Sequence, residues 1–151
     1  MLHRAKSTAK NCVYASVMVL AVALSGITLF AEQPKTQRIA VADLKKKLDR
    51  GDKFLLIDVR EDWEIKLNGA IPNSIHIPVA ELDKRMADIP KDVEIVFYCA
   101  GGTRAEAAAE KFIKAGYKAG EFCGISDWKK ENQKVVDKED RPAAGPIRPK
   151  S

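Results

Sequence analysis

Cys99 is followed by Ala100-Gly101-Gly102-Thr103-Arg104, and this run holds the residues best suited to chemistry. An apolar stretch, Ile95-Val96-Phe97-Tyr98, leads into the cysteine, and an Ala-rich segment follows the arginine. The pattern predicts a strand, a tight loop and a helix start. Glycine tolerates positive φ, so Gly101 and Gly102 let the loop turn its N–H groups inward around one sulfur. Those amides, the positive end of the helix and Arg104 favour a sulfur anion and bind an anion beside it. Cys99 is therefore expected to be a nucleophile, with Ala100, Gly101, Gly102, Thr103 and Arg104 as its anion cradle. A free cysteine at a strand end is often only a packing residue. The glycines and the arginine tip the reading toward function.

The spacing narrows the chemistry. Four residues separate Cys99 from Arg104. Thiolate phosphatases use a longer loop, which holds a tetrahedral phosphate. A shorter cradle suits a smaller group, such as one extra sulfur carried as a persulfide. Phosphatase or arsenate reductase chemistry is the more distant reading for that reason.

Elements of two kinds must position this loop. Phe54-Leu55-Leu56-Ile57, ending in Asp58, reads as a buried parallel strand. Ile75-His76-Ile77 before Pro78, Val93 to Tyr98, and Glu121-Phe122-Cys123 read as further strands. Apolar residues at helical spacing predict helices from Val41 to Leu48, Glu61 to Leu67, Val79 to Met86 and Arg104 to Ala115, the last stopped by Gly116, with another around Trp128. Glu32 to Arg38, with Pro34, reads as polar linker. Alternating strands and helices argue for an α/β fold of three layers, a mostly parallel central sheet with helices on both faces. Ligands in such folds bind at the carboxyl ends of the strands. Asp58, Cys99 and Cys123 all fall at expected strand ends and are expected to converge on one side.

The chain has 151 residues, and its formal net charge of +5 is unevenly placed. Arg4, Lys6 and Lys10 precede an uncharged stretch from Asn11 to Ala31, and without these three cations the charge is +2. The high pI is thus no argument for nucleic acid. Lys45-Lys46-Lys47 is expected to be a solvated helix face, since no aromatic residue interleaves with it. Three cations before an apolar run read as an export signal in 1–31, cleaved after Ala31, or alternatively as an uncleaved N-terminal membrane anchor. Either way, the chain from Glu32 onward is expected outside the cytoplasm, periplasmic or otherwise exported, or held on the inner membrane facing outward. Residues 32–36 form a linker. Three prolines and many charges after Asp137 suggest a disordered tail over 137–151. The two cysteines past the leader, Cys99 and Cys123, and the two isolated histidines, His3 and His76, offer no metal-ligand spacing, and no cofactor is expected. His76 alternates within an apolar strand and reads as structural.

Four segments together resemble the single-domain rhodaneses, a family of sulfurtransferases. Phe54 to Glu61 is similar to the family's first strand and its Asp-Val-Arg signature. Gly69-Ala70-Ile71-Pro72-Asn73-Ser74-Ile75-His76-Ile77-Pro78 resembles its glycine-to-proline segment. Cys99 to Arg104 resembles its active-site loop, and Gly124-Ile125-Ser126-Asp127-Trp128 its later turn and tryptophan helix. The likeness covers about residues 37–136, the expected rhodanese-like domain. Three positions depart from it: Ala70 where histidine is frequent, Ala100 where a second arginine is common, and Ile125 in place of a glycine. Ala100 weakens the case for thiosulfate as donor.

The resemblance implies covalent catalysis in two steps. Cys99 takes sulfur from a donor such as thiosulfate and becomes a persulfide, and a thiophilic acceptor removes it. The partners implied are small sulfur donors and acceptors, with a protein thiol acceptor as a further option. Arg104 is expected to bind the donor anion, or else to form an ion pair with Asp58 or Glu106. Asp58 and Arg60 are expected to be mainly structural, orienting the loop and its strands, and Trp128 to be core. Cys123 is either a packing residue or a resolving thiol that forms a reversible disulfide with Cys99. The competing functional readings are a non-catalytic rhodanese-fold binding module and a thiol-redox or persulfide carrier.

Overall fold

The computed structural model describes residues 35–137 together with Ile147. In chain order the elements are β1 (Gln37–Arg38), α1 (Val41–Arg50), β2 (Phe54–Asp58), α2 (Asp62–Asn68), β3 (Ile75–His76), a 3-10 turn (Val79–Glu81), α3 (Leu82–Arg85), a second 3-10 turn (Met86–Asp88), β4 (Glu94–Cys99), α4 (Thr103–Lys114), β5 (Lys118–Gly124) and α5 (Ile125–Lys130). The strands form one five-stranded sheet in the order β1-β5-β4-β2-β3, and every pair within it is parallel.

The unbroken apolar runs of β2 and β4 become adjacent central strands, buried on both faces as parallel strands under helices must be. Alternation sorts their side chains. Leu55, Ile57, Ile95, Phe97 and Cys99 face a core closed by Ala105, Ala108, Ala109 and Phe112 of α4 and Leu82 of α3. Phe54, Leu56, Val96 and Tyr98 face the other side, where Val41 and Leu44 of α1 and Ile125 and Trp128 of α5 cover them. The three expected layers are therefore present. Phe112 anchors the first core with two ring contacts at 4.9 Å, one to Phe97 and one to Tyr117. Trp128 is core as expected, its Nε1 donating to the Lys134 carbonyl at 2.9 Å.

Four details differ from the sequence reading. Gln37 and Arg38, expected in linker, form an exposed edge strand that pairs with β5, with Gln37 Nε2 donating to Glu121 Oε1 at 3.4 Å across the pair. The expected helix from Val79 to Met86 is broken into two 3-10 turns around one helical turn. Its one deeply buried side chain is Leu82, too little apolar face to hold a continuous helix. Lys47 is not solvated like its neighbours. It lies across the sheet and pairs with Glu121 at 2.7 Å and with Glu94. Ile147, within the expected tail, is 3% exposed and packs in the first core.

Among the described residues no helix is long and apolar enough to cross a membrane. The expected leader, 1–31, lies outside the described residues.

Candidate active site

The strand order places a chain reversal between β2 and β4, since β3 lies outside β2 and β5 outside β4. At such a reversal a crevice opens at the carboxyl ends of the flanking strands. Asp58 ends β2 and Cys99 ends β4, so both reach that edge.

The loop after Cys99 enters α4 through Gly102, whose φ is +114. A side chain there is strained, and its Cβ would run into the guanidinium of Arg38. In this conformation the Gly102 N–H turns back and donates to Cys99 Sγ at 3.1 Å. This N–H stands at the amino end of α4, a place suited to holding an anionic group. Ala100, Gly101 and Thr103 are exposed around the sulfur, while Cys99 itself is 2% exposed. The sulfur thus sits below the loop rim.

Residues from three other elements hold this loop. Ser126 N–H donates to the Ala100 carbonyl at 3.1 Å. Arg38 Nη2 donates to the Gly101 carbonyl at 2.7 Å. Gly124 lies flat under the loop, where a Cβ would come within 2.8 Å of the Gly101 carbonyl carbon. The contact from Arg38 is testable. Arg38→Ala removes this bond and an ion pair with Asp127, both partly exposed, and is expected to cost about 1 kcal/mol of stability. Faster hydrogen exchange at the Gly102 and Thr103 amides would report the loosened loop; unchanged exchange would show that Ser126 and Gly124 suffice.

Both arginines at the loop are paired. Arg104 forks onto Glu64 of α2 with two bonds of 2.7 Å. The partner expected from sequence was Asp58 or Glu106; Glu64 takes the place because the capping box of α2 already fixes its carboxylate, which accepts from Glu61 N–H at 3.0 Å. The Arg104 bond holds Glu64 below the usual carboxylate range, and Glu64 raises Arg104 in return. Arg38 donates to Asp127 from Nη2 at 2.6 Å and from Nε at 3.3 Å. That contact raises Arg38 and lowers Asp127.

Asp58 and Arg60 form a separate assembly on the other face of the sheet. Arg60 Nε and Nη2 donate to the two Asp58 oxygens at 2.9 and 2.8 Å. Nη2 also donates to the Gly69 carbonyl at 2.8 Å, and the guanidinium lies 5.5 Å from the centre of the Tyr98 ring. Tyr98 Oη meets Ser74 Oγ at 2.8 Å and accepts from Ile71 N–H at 3.2 Å. His76 Nε2 bonds the Arg60 carbonyl at 2.6 Å, a structural place. These bonds tie β2 and, through Tyr98, the carboxyl end of β4 to the segment between α2 and β3.

Cys123 pairs in register with Tyr98, one residue from Cys99, and so points to the opposite face of the sheet. Both thiols are free. The disulfide weighed from sequence requires a side chain to pass through the sheet, and the expected convergence holds for the edge but not for the face. Burial pushes the Cys123 thiol up to about 12 from an ordinary 9.0. Burial raises the Tyr98 phenol as well. The unfolded chain loses these protons first. The Cys123 contribution is intact below the unfolded value of 9.0 and is lost as pH climbs toward the folded value of about 12. Urea midpoints are expected to decline over that range, and Cys123→Ala to flatten the early part of the decline.

Among the described residues no cluster of histidine, cysteine and carboxylate side chains is arranged to hold a metal ion. Three residues of the site escaped the sequence reading: Arg38, Glu64 and Asp127. For Glu64 a signal existed, the Glu61-x-x-Glu64 capping pattern. Arg38 and Asp127 meet only because β1 joins the sheet beside β5.

A parallel three-layer α/β domain with a cysteine cradled at a strand-to-helix loop is the class that this fold and site define. Within it the chain belongs to the rhodanese-like family: the family model of the rhodanese-like domain matches residues 40–131. It is similar to a sulfurtransferase of Allochromatium vinosum, 35% identical over 74 residues, which span 49% of this chain and 68% of that protein. It is also similar to the mitochondrial thiosulfate sulfurtransferase RDL2 of Saccharomyces cerevisiae, 38% identical over 92 residues, 51% of this chain and 61% of that protein. A crystal structure of a rhodanese-related protein from Thermoplasma volcanium superposes with a TM-score of 0.59 at 31% identity, covering 68% of this chain and 97% of that one.

Proposed function

We propose that this rhodanese-like protein is a sulfurtransferase that carries sulfane sulfur as a persulfide on Cys99. The observation that carries the reading is the Gly102 N–H aimed at Cys99 Sγ at 3.1 Å from the amino end of α4. In the first step the Cys99 thiolate attacks the outer sulfur of a donor. A new S–S bond forms, the donor's own bond to that sulfur breaks, and its electron pair leaves with the donor remnant. In the second step an acceptor such as cyanide or a thiolate attacks the outer sulfur and regenerates the Cys99 thiolate. The chemistry is nucleophilic and covalent, with a ping-pong course. The Gly102 N–H, with the amino end of α4 behind it, holds the negative sulfur as an oxyanion hole holds oxygen. Arg104, tied to Glu64, positions the helix start.

The relatives named sulfurtransferases support this reading, as does the intact cysteine loop, which favours an enzyme over a binding module with the same fold. The test is intact mass spectrometry of the reduced protein after exposure to sulfur donors. A gain of about 32 Da that maps to Cys99 is expected if the thiolate accepts one sulfur. No gain with any donor overturns the reading. We further propose that 1–31 directs the domain out of the cytoplasm, on the strength of Arg4, Lys6 and Lys10 before the apolar run. The mass of protein recovered from the periplasmic and membrane fractions distinguishes a cleaved leader from an anchor.

A further inference from the structure

We propose that the outer face of α2 is a docking surface for an acidic protein segment with an apolar centre, which brings a thiol to Cys99. The inference rests on the sulfurtransferase reading above and names a partner surface beside the same site.

Three large apolar side chains stand exposed among the described residues: Trp63 at 64%, Leu67 at 74% and Val79 at 43%. All three lie beside the connection that leaves β2. Trp63 and Leu67 belong to α2, and the Val79 N–H donates to the Val59 carbonyl at 3.3 Å. Trp63, Lys66 and Leu67 are spaced i, i+3 and i+4, so they share one face of α2. Glu64 and Ile65 are the residues that α2 buries, so neither Trp63 nor Leu67 anchors the helix. Single exposed apolar residues are ordinary on a surface. A tryptophan and a leucine side by side are a contact patch, and tryptophan is among the types enriched where binding energy concentrates.

The charge of this face selects the partner. Its acids are engaged: Glu61 accepts from the Glu64 N–H in the capping box, and Asp62 faces His76 at 3.4 Å. Its cations are not. Among the described residues Lys66 has no carboxylate partner, and Lys129 meets the end of the helix only through the neutral Asn68 Oδ1 at 3.3 Å. An apolar pair flanked by uncompensated lysines complements an apolar side chain flanked by carboxylates. The inner side of the same helix bears on the chemistry. Glu64 grips Arg104 with two bonds of 2.7 Å, and Arg104 in turn hydrogen-bonds Cys99. α2 therefore stands one arginine side chain from the reactive sulfur.

Two side chains are too little for a stable dimer, which buries roughly 1,200 Å² or more. They suit a partner that binds, reacts and leaves. A membrane is the poorer occupant: α2 has 7 residues, and its amino end carries Glu61 and Asp62, which anionic lipid repels. In the transfer, the partner's thiolate attacks the outer sulfur of the Cys99 persulfide. The new S–S bond forms, the bond to Sγ breaks, and Sγ keeps the electron pair as thiolate.

The full-length protein is loaded from sodium polysulfide and freed of donor, and loss of the added sulfur from Cys99 is followed by intact mass. Three acceptors are compared: a synthetic peptide with aspartates around a leucine and a C-terminal cysteine, the same peptide with lysines for aspartates, and β-mercaptoethanol. The wild type is expected to half-saturate with the acidic peptide at a concentration about tenfold below that for the lysine peptide, as two surface charge pairs allow. The gap is expected to close at high salt. Trp63→Ser combined with Leu67→Ser is expected to raise the half-saturating concentration of the acidic peptide about tenfold, the order of one buried apolar side chain. Lys66→Glu is expected to erase the preference for the acidic peptide. Discharge to β-mercaptoethanol stays unchanged in every variant.

Equal half-saturation by the two peptides in the wild type overturns the inference. So do variants that leave it unmoved, or that slow discharge to β-mercaptoethanol to the same degree. Phosphatidylglycerol vesicles that bind the wild type but not the Trp63→Ser/Leu67→Ser variant would assign the face to a membrane. A wild-type dimer that the same variant loses would assign it to a second copy, and either result overturns the proposal. Failure of Cys99 to take up sulfur overturns the sulfurtransferase reading itself, whereas uptake without any docking effect overturns this inference alone.

Discussion

Cys99→Ser is expected to abolish sulfur uptake and turnover while the domain stays folded. The hydroxyl is isosteric enough to accept the Gly102 N–H that now reaches the sulfur at 3.1 Å. It is also buried in the same apolar cluster. The stability cost is expected to be about 1 kcal/mol, typical of a conservative core change. The catalytic cost is of another order. A serine hydroxyl beside no general base is a poor nucleophile and forms no persulfide, so loss of the covalent group is expected to lower turnover by at least about 10³-fold. Thiocyanate release from a donor and cyanide, with urea unfolding run in parallel, measures both effects. Turnover near that of the wild type would move the chemistry to another sulfur.

Asp58→Ala is expected to be the most damaging substitution for stability. Arg60 is 1% exposed and Asp58 0%, and the two meet through a bidentate contact. Removing the carboxylate leaves a buried guanidinium whose remaining neutral partners are the Gly69 carbonyl and the Tyr98 ring. Breaking such a pair from one side costs about 3–5 kcal/mol, a large share of the 5–15 kcal/mol or so that holds an ordinary domain together. Replacing both partners, as in Asp58→Asn with Arg60→Met, is expected to recover much of the loss, because no lone buried charge remains. Urea midpoints of the single and double variants give the comparison. A single-variant loss below about 1 kcal/mol would show that water reaches the Arg60 guanidinium.

The parts legible from sequence are those set by local pattern. The apolar runs at Phe54–Ile57 and Ile95–Tyr98 identify the central strands because a parallel strand covered on both faces needs no alternation. Cys99, Gly101, Gly102 and Arg104 identify the loop because the φ of Gly102 and the helix start are local events. The partners of that loop were not legible. Arg38 lies in a two-residue polar strand with no apolar signature, and its place beside Gly101 follows from strand order alone. Glu64 rather than Asp58 meets Arg104 because α2 stands over the amino end of α4, a matter of packing between elements 40 residues apart. The opposite facing of Cys99 and Cys123 follows from a register that no single segment encodes.

Because the two thiols of the described domain are separated by the thickness of the sheet, Cys99 has no neighbour inside that domain with which to close a ring. Disulfide formation at Cys99 must then use a thiol from outside that domain, whereas oxidation to the sulfenic and higher acids needs no second thiol. A reductant reverses the disulfide but not the higher acids, so the share of activity that a reductant restores reports which route the sulfur has taken.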